Sequence, residues 1–329
     1  MGIMSLTEIM DRSVEILKKY IETIVIFNVA YGIISFCVIM VGIILGSIIT
    51  AITMGFRLNI VLTVIIFLIL GLCIITFLMS IKIGLIKIST QEFLEERVNV
   101  GKAIGTSFKK FFRVLGVLFM EILLFTPVAV VFFMIGYIIY SSFQQSMLFL
   151  GMYDKSETGL IILTVVVSLL AVLSVLAYVT VFTFSFHVLV IENKGVFAAL
   201  KRSYSLVKGD YFKILGCTLL FSITIYAITV SLQSFMGIVV GIMFMILNFF
   251  SLGEDVTTYI SMIYSLSQWP ISILSWLVIS PLQIIMITHL YFNQRFKKEG
   301  YDIVLKLNKI QKDEKKEQLS EGTQYDHSI

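Results

Sequence analysis

Three ionisable side chains fall inside apolar stretches, where charge is costly: Glu121, His187 and His289. Glu121 follows Arg113 by eight residues, about 12 Å further along a helix at 1.5 Å per residue. His187 and His289 sit a turn or two from the basic ends of their own stretches, at a comparable depth. An acid in hydrocarbon is expensive and is expected to face other helices. A Glu–His contact there would share a proton or a charge, as part of a proton-linked or headgroup-binding site. The plainer alternative is a satisfied interhelical hydrogen bond, or a Glu121 that is simply neutral. Asn28, Gln268 and Gln283 read as polar groups that pair helices.

No soluble catalytic constellation accompanies them. The chain has no P-loop, which argues against an ATP-driven pump that supplies its own ATPase. It also lacks GxSxG, HExxH and paired-cysteine patterns. Cys37, Cys73 and Cys217 all lie in apolar runs and read as filler. The expectation is a protein that is not an enzyme and needs no cofactor or metal.

The elements that position these residues are read from hydropathy. Of 329 residues, 58% are hydrophobic and 14% charged, with a mean hydropathy of +0.98, the composition of a polytopic membrane protein. The N-terminus is not read as a cleavable signal, since Glu8, Asp11 and Glu15 interrupt it. Apolar runs long enough to cross a hydrocarbon core about 30 Å thick lie at about 24–50, 59–81, 114–140, 159–191, 212–235 and 267–292. A further run, 236–250, has three readings: an extension of the fifth span, a re-entrant segment, or a separate crossing. Of 25 Lys and Arg, 23 fall in 1–23, 82–113, 193–213 and 293–329; Arg57 and Lys155 lie in the alternate loops. The positive-inside rule then predicts six spans with both termini cytoplasmic. The net charge of +4 is small and clustered, so no nucleic-acid partner is expected.

The basic segments resemble one another. "SLTEIMDRS" (5–13), "NVGKAIGTS" (99–107) and "GVFAALKRS" (195–203) share apolar residues at the second, fifth and sixth places and Ser at the ninth. "FFRVLG" (111–116) parallels "YFKILG" (211–216) after a four-residue insertion, about one helical turn. The first copy carries an apolar stripe through Leu6, Ile9, Met10, Ile16, Leu17, Tyr20 and Ile21. Ser5-x-x-Glu8 and Ser89-x-x-Glu92 match a capping box. The fold class is therefore all-α, with about six transmembrane helices in three repeats at about 1–88, 89–193 and 194–303. Each repeat is an interfacial amphipathic helix plus a transmembrane hairpin. Residues 1–303 form one membrane domain, and 304–329 form a polar cytoplasmic tail, a short helix or disordered, in which His327 alone is no ligand set. Gly42-x-x-x-Gly46 and Gly237-x-x-x-Gly241 permit close helix approach, within the chain in preference to a dimer face. Pro127, Pro270 and Pro281 are expected to kink or open their helices.

The chain closes its last apolar run with "YFNQRFKKEGYDI" (291–303). Interface physics accounts for Tyr291, Phe292, Arg295, Lys297 and Lys298, but not for Glu299-Gly300-Tyr301-Asp302. That ending is similar to the "YYDLRxRKEGxDL" close of the glycerophosphoryl diester phosphodiesterase membrane domain family of prokaryotes. Pro281-Leu282 and "ALKRSYSLVKGDYFKILG" (199–216) resemble the same family, with Asn293 in place of its usual Asp and Tyr204 in place of Trp. The resemblance extends over 1–303 and marks Tyr291, Arg295, Lys298, Glu299, Gly300 and Asp302 as motif positions. It implies a bacterial plasma-membrane location and a stand-alone membrane domain without the hydrolase. The expected function is a non-catalytic module that contacts membrane lipids, or an envelope or transporter partner. The alternative is a transporter or exporter of a small amphiphile or peptide, used in self-protection against a membrane-active compound. A continuous polar path from Glu121 to both faces favours the second.

Overall fold

A computed structural model describes residues 4–56, 60–149, 155–249, 256–307 and 310–311. Arg57, His327 and the tail beyond residue 311 lie outside the described residues. All the regular structure described is helical. Six stretches are long and apolar enough to cross a bilayer: Ile21–Thr53, Ile60–Ser89, Phe111–Gln144, Thr158–Glu192, Tyr211–Met243 and Gln268–Glu299. Four of them bracket the predicted spans, and the second and sixth begin one residue later than predicted. The ambiguous run at 236–250 extends the fifth as far as it is described, for Tyr211–Phe249 is a single α-helix and residue 250 lies outside the described residues. Gly237 and Gly241 do not interrupt it, because backbone groups in hydrocarbon have no water to turn to and stay in the helical ladder.

The helices run in the order short, long, long, three times. The first set is α1 (Leu6–Lys19), α2 (Ile21–Phe56) and α3 (Ile60–Met79), which continues after a one-residue break as α4 (Ile81–Ser89). A single turn, α5 (Gln91–Leu94), leads to the second set: α6 (Val100–Lys109), α7 (Phe111–Phe149) and α8 (Lys155–Phe182). That set ends in α9 (Ser185–His187) and a π-helical turn at Val188–Glu192. The third is α10 (Val196–Val207), α11 (Tyr211–Phe249), and α12 (Val256–Leu274) joined through a π-helical turn (Ser275–Ile279) to α13 (Ser280–Glu299).

The chain divides into two compact units. One holds residues 1–38, 81–109 and 217–329. Its core is α13, whose buried face runs from Pro281 to Phe296. Both α1 and α4 pack on α13, and α6 packs on α4. Ser5 caps α1 as its spacing predicts, accepting the Glu8 N–H at 3.2 Å. Met4 and Ile9 are both buried at the spacing of a hydrophobic staple. The apolar stripe of α1 buries Ile9, Ile16 and Leu17 within this unit, each worth about 1.5–3 kcal/mol. Ser89 does not cap: it ends α4, and its hydroxyl oxygen lies 2.9 Å from Ile86 O and 3.0 Å from Thr288 Oγ1, with one hydrogen to give between them. A hydroxyl buried between two helices takes the nearest acceptors, whatever its sequence spacing suggests.

The other unit holds residues 39–80 and 110–216. Here α3 and α8 pack on α7, and α10 packs on both α7 and α8. Gly42 serves close approach as its motif predicts, since a Cβ there would lie 2.6 Å from Ile74 Cδ1. By contrast, a Cβ at Gly237 or Gly241, both in the first unit, would meet nothing within 4 Å.

Candidate functional site

The residues singled out by sequence fall into two settings, one in each unit. In the second unit, Glu121 lies on α7 facing the break between α8 and α9. Its Oε1 accepts from Ser185 Oγ at 2.8 Å, and the Tyr178 hydroxyl donates to the Glu121 backbone carbonyl. Phe125, Tyr178 and Phe182 form a ladder of rings with centroids 4.9 Å apart at each step. Beside them a groove of about 360 Å³ opens between α7 and α8. Its lining is Leu118, Glu121, Ile122, Phe125, Thr126 and Ala129 on α7, with Val175, Tyr178 and Val179 on α8. Glu121 is the one carboxylate in that lining, and neither Lys nor Arg joins it.

His187 is buried on α9, two residues beyond Ser185, with its ring edge-on to Phe184 at 6.2 Å. The structure thus brings Glu121 to the short helix that carries His187, and Ser185 supplies a hydroxyl to the acid. The π-helical turn that follows is held by charge. Lys110 Nζ donates to Leu189 O at 2.7 Å and Val190 O at 3.0 Å. Arg113 reaches Asn193 Oδ1 at 2.8 Å, and Asn193 itself sits at φ +54°. Glu192 pairs with Lys194 at 2.7 Å and Arg202 at 3.2 Å. Such charge-assisted contacts satisfy the carbonyls that a helix end leaves open.

His289 belongs to the first unit and is fully buried there. Its Nδ1 lies 2.9 Å from Ile285 O and 3.3 Å from Ser13 Oγ. A carbonyl only accepts, so Nδ1 carries the hydrogen. Ser13 gives its own hydrogen to Ile9 O at 2.6 Å. One turn along α13, Asn293 clasps the start of α1: Oδ1 accepts the Met4 N–H at 2.9 Å and Nδ2 donates to Met4 O at 3.0 Å. Asn28 plays a similar part in the same unit. Pro281 has no N–H to give to Leu277 O one turn back, and Asn28 Nδ2 supplies a donor there at 3.0 Å. Gln283 bonds Ser222 across helices at 3.1 Å, as expected of a pairing group.

The motif positions at the end of α13 form a folded knot. Tyr291 is fully buried, and Phe292 stacks on Phe93 at 4.0 Å. The Arg295 guanidinium lies 3.6 Å from the Tyr301 ring centroid and pairs with Glu299 at 3.0 Å. Gly300 ends the helix at φ +59°, its N–H bonded to Phe296 O, a left-handed cap that favours glycine. Lys298 and Glu299 are exposed, and Asp302 is half-buried at the start of the helical stretch 301–307.

The three serines at the ninth place of the predicted repeats are all fully buried. Ser13 meets His289, as above. Ser107 Oγ lies 3.0 Å from where a Cβ on Gly84 would stand, and that Cβ would also lie 2.2 Å from Phe27 Cζ, so only glycine fits there. Ser203 accepts the Phe184 N–H at 3.2 Å and donates to Val181 O at 2.8 Å, closing the break before α9. Sequence reading did not single out Tyr178, Ser185 or the role of Asn293. A tyrosine far from either end of its span was the available signal for the first. Comparison with protein-family models, with curated proteins and with solved structures finds no match.

Proposed function

We propose that this chain is a non-catalytic integral membrane module of the bacterial plasma membrane, with both termini cytoplasmic, that holds a lipid or similar amphiphile at its surface. The observation that carries the reading is the groove between α7 and α8. It pairs an apolar lining with a single acid at a depth where charge is otherwise avoided. The distribution of Lys and Arg supports the orientation. Three repeats are part of the proposal. In support, each short helix packs on the closing long helix of the preceding set: α6 on α4, α10 on α8 and α1 on α13. The likeness of 291–303 to the membrane domain of glycerophosphoryl diester phosphodiesterases fits a module that once worked beside, or still works beside, a separate partner.

Two experiments test this. Single cysteines replacing Arg57 and Lys155 should react with an impermeant thiol reagent in intact cells, while one replacing Lys298 should react only after permeabilisation. Labelling of position 298 in sealed cells refutes the orientation. For lipid contact, the chain is reconstituted with a phospholipid bearing a diazirine on its acyl chain and irradiated. Peptides spanning 118–129 and 175–179 should carry more label than other exposed apolar peptides; uniform labelling refutes the groove as a site. Transport of a small amphiphile is the second reading, favoured by the same acid, and it requires uptake into proteoliposomes that Glu121→Gln abolishes while folding persists.

A further inference from the structure

We infer that the outward face of α10, together with the first turn of α11, binds the headgroups of anionic phospholipids on the Lys- and Arg-rich side of the membrane. This rests on the reading of the chain as a membrane module and concerns a different surface from the groove between α7 and α8.

The residues of α10 divide between two faces. Ala199, Ser203 and Leu206 are buried, and α10 packs on α7 and α8. Phe197, Lys201 and Tyr204, spaced by four and three residues, share the opposite side. All three are exposed, Phe197 by 71% and Tyr204 by 51%. After a turn at Gly209 (φ +94°), α11 begins with Phe212, 83% exposed, and Lys213, also exposed. Rings and ammonium groups are thus interspersed on both helices. The pattern belongs to α10 alone among the three short helices. At the places of Phe197 and Lys201, α1 has Thr7 and Asp11, and α6 has Gly101 and Gly105.

Charge and position decide the partner. Residues 193–213 hold five Lys or Arg and one acid, Asp210. Lys194 and Arg202 pair with Glu192. Among the described residues, no carboxylate lies within ion-pair distance of Lys201 or Lys213. One membrane-spanning stretch ends at Glu192 and the next starts at Tyr211, so both ends of α10 are held at the membrane surface. There a lysine stem lies along apolar chains while its ammonium group donates to phosphate oxygens. A ring at the same level settles among the glycerol groups and first methylenes, as interfacial aromatics do. A zwitterionic headgroup offers its phosphate beside an ammonium of its own. An anionic one offers the phosphate without that competitor, so each lysine favours it by about fivefold.

Phosphatidylglycerol and phosphatidylcholine, each with a diazirine on the acyl carbons nearest the headgroup, are the probes. Each is used singly with the full chain in nanodiscs of otherwise neutral lipid, and labelled peptides are counted after irradiation. Peptide 196–213 should take at least about fivefold more label from phosphatidylglycerol than from phosphatidylcholine. Lys201→Ser with Lys213→Ser should bring the two to one level. Phe197→Ser with Tyr204→Ser should lower both. Lys18→Ser with Lys102→Ser, an equal loss of charge from α1 and α6, should change neither. Melting temperatures of the three pairs should match the parent, so that lost label is not lost folding. In the parent itself, raising salt from about 0.05 to about 0.5 M should shrink the preference, with no variant needed. Excess glycerol 3-phosphate should not compete; competition overturns the proposal in favour of a free anion. A preference that survives loss of Lys201 and Lys213, that ignores salt, or that falls equally without Lys18 and Lys102 also overturns it. Equal labelling of the parent by both lipids does the same. No label from either lipid overturns it and leaves this face to a soluble protein. The groove is read from peptides 118–129 and 175–179 in the same digests, so the two sites fail separately.

Discussion

Replacing Asn293 with Leu should release the first helix without unfolding the protein. In the folded chain the side-chain amide of Asn293 satisfies both backbone groups of Met4, at 2.9 and 3.0 Å, and all these atoms are buried. Leucine is close to asparagine in size but has no polar atoms. The change therefore leaves one N–H and one C=O unpaired, each at a cost of about 1–3 kcal/mol. Opening of α1 becomes easier by about 2–6 kcal/mol in total. Hydrogen exchange in lipid nanodiscs reads this directly, since protection reports the free energy of local opening. Amides of α1 should lose protection by a factor of about 30 or more, while α13 keeps most of its own. Asn293→Asp should fall between the two, because a carboxylate still accepts from Met4 N–H but cannot donate to Met4 O when ionised. Unchanged protection in α1 would refute the clasp. An equal loss across every helix would show that Asn293 supports the whole unit instead.

Other changes test other parts of the structure. Gly300→Ala should lower thermal stability by about 1 kcal/mol, and Gly300→Asn by less, because position 300 is left-handed at φ +59°. Asn28→Leu should destabilise by about 1–3 kcal/mol by stripping Leu277 O of its side-chain donor, and adding Pro281→Ala should restore part of the loss through a new backbone N–H. The purified chain should release no glycerol phosphate from glycerophosphocholine with excess Mg²⁺ or Ca²⁺. Metal-dependent release that follows the protein through purification would overturn the non-enzyme reading.

Hydropathy made the six spans legible because a bilayer demands about twenty apolar residues in a row. The short helices were legible as well, from Ser5 and from the stripe on α1. The stripe was read as that of an interfacial helix, and hydropathy named no protein partner for it. Ile9, Ile16 and Leu17 would suit a lipid surface as well as a protein one, since amphipathicity records only that one side is apolar. The structure buries them within the first unit, where α1 packs on α13. Ser13, Ser107 and Ser203 held the missing clue. A small polar residue on an apolar stripe is better explained by a close protein neighbour than by lipid. Pairings such as Ser13 with His289, 276 residues apart, and Asn28 with a carbonyl beside Pro281 arise only from tertiary contact, and one sequence carries no sign of them. Both π-helical turns were likewise invisible, because the residues in them are ordinary helix formers.

The docking of α1 on α13 ties the two ends of the sequence together, and this has a consequence for biosynthesis. Ser13 emerges from the ribosome 276 residues ahead of His289. At about 5–20 residues per second, α1 waits on the order of 15–55 s for the surface that covers it. Through that time the apolar stripe lacks the cover that α13 gives it in the finished fold. Only a chain completed through α13 can bury α1 there. An incomplete product keeps Ile9, Ile16 and Leu17 uncovered, and so carries a mark by which a membrane protease can tell unfinished chains from finished ones.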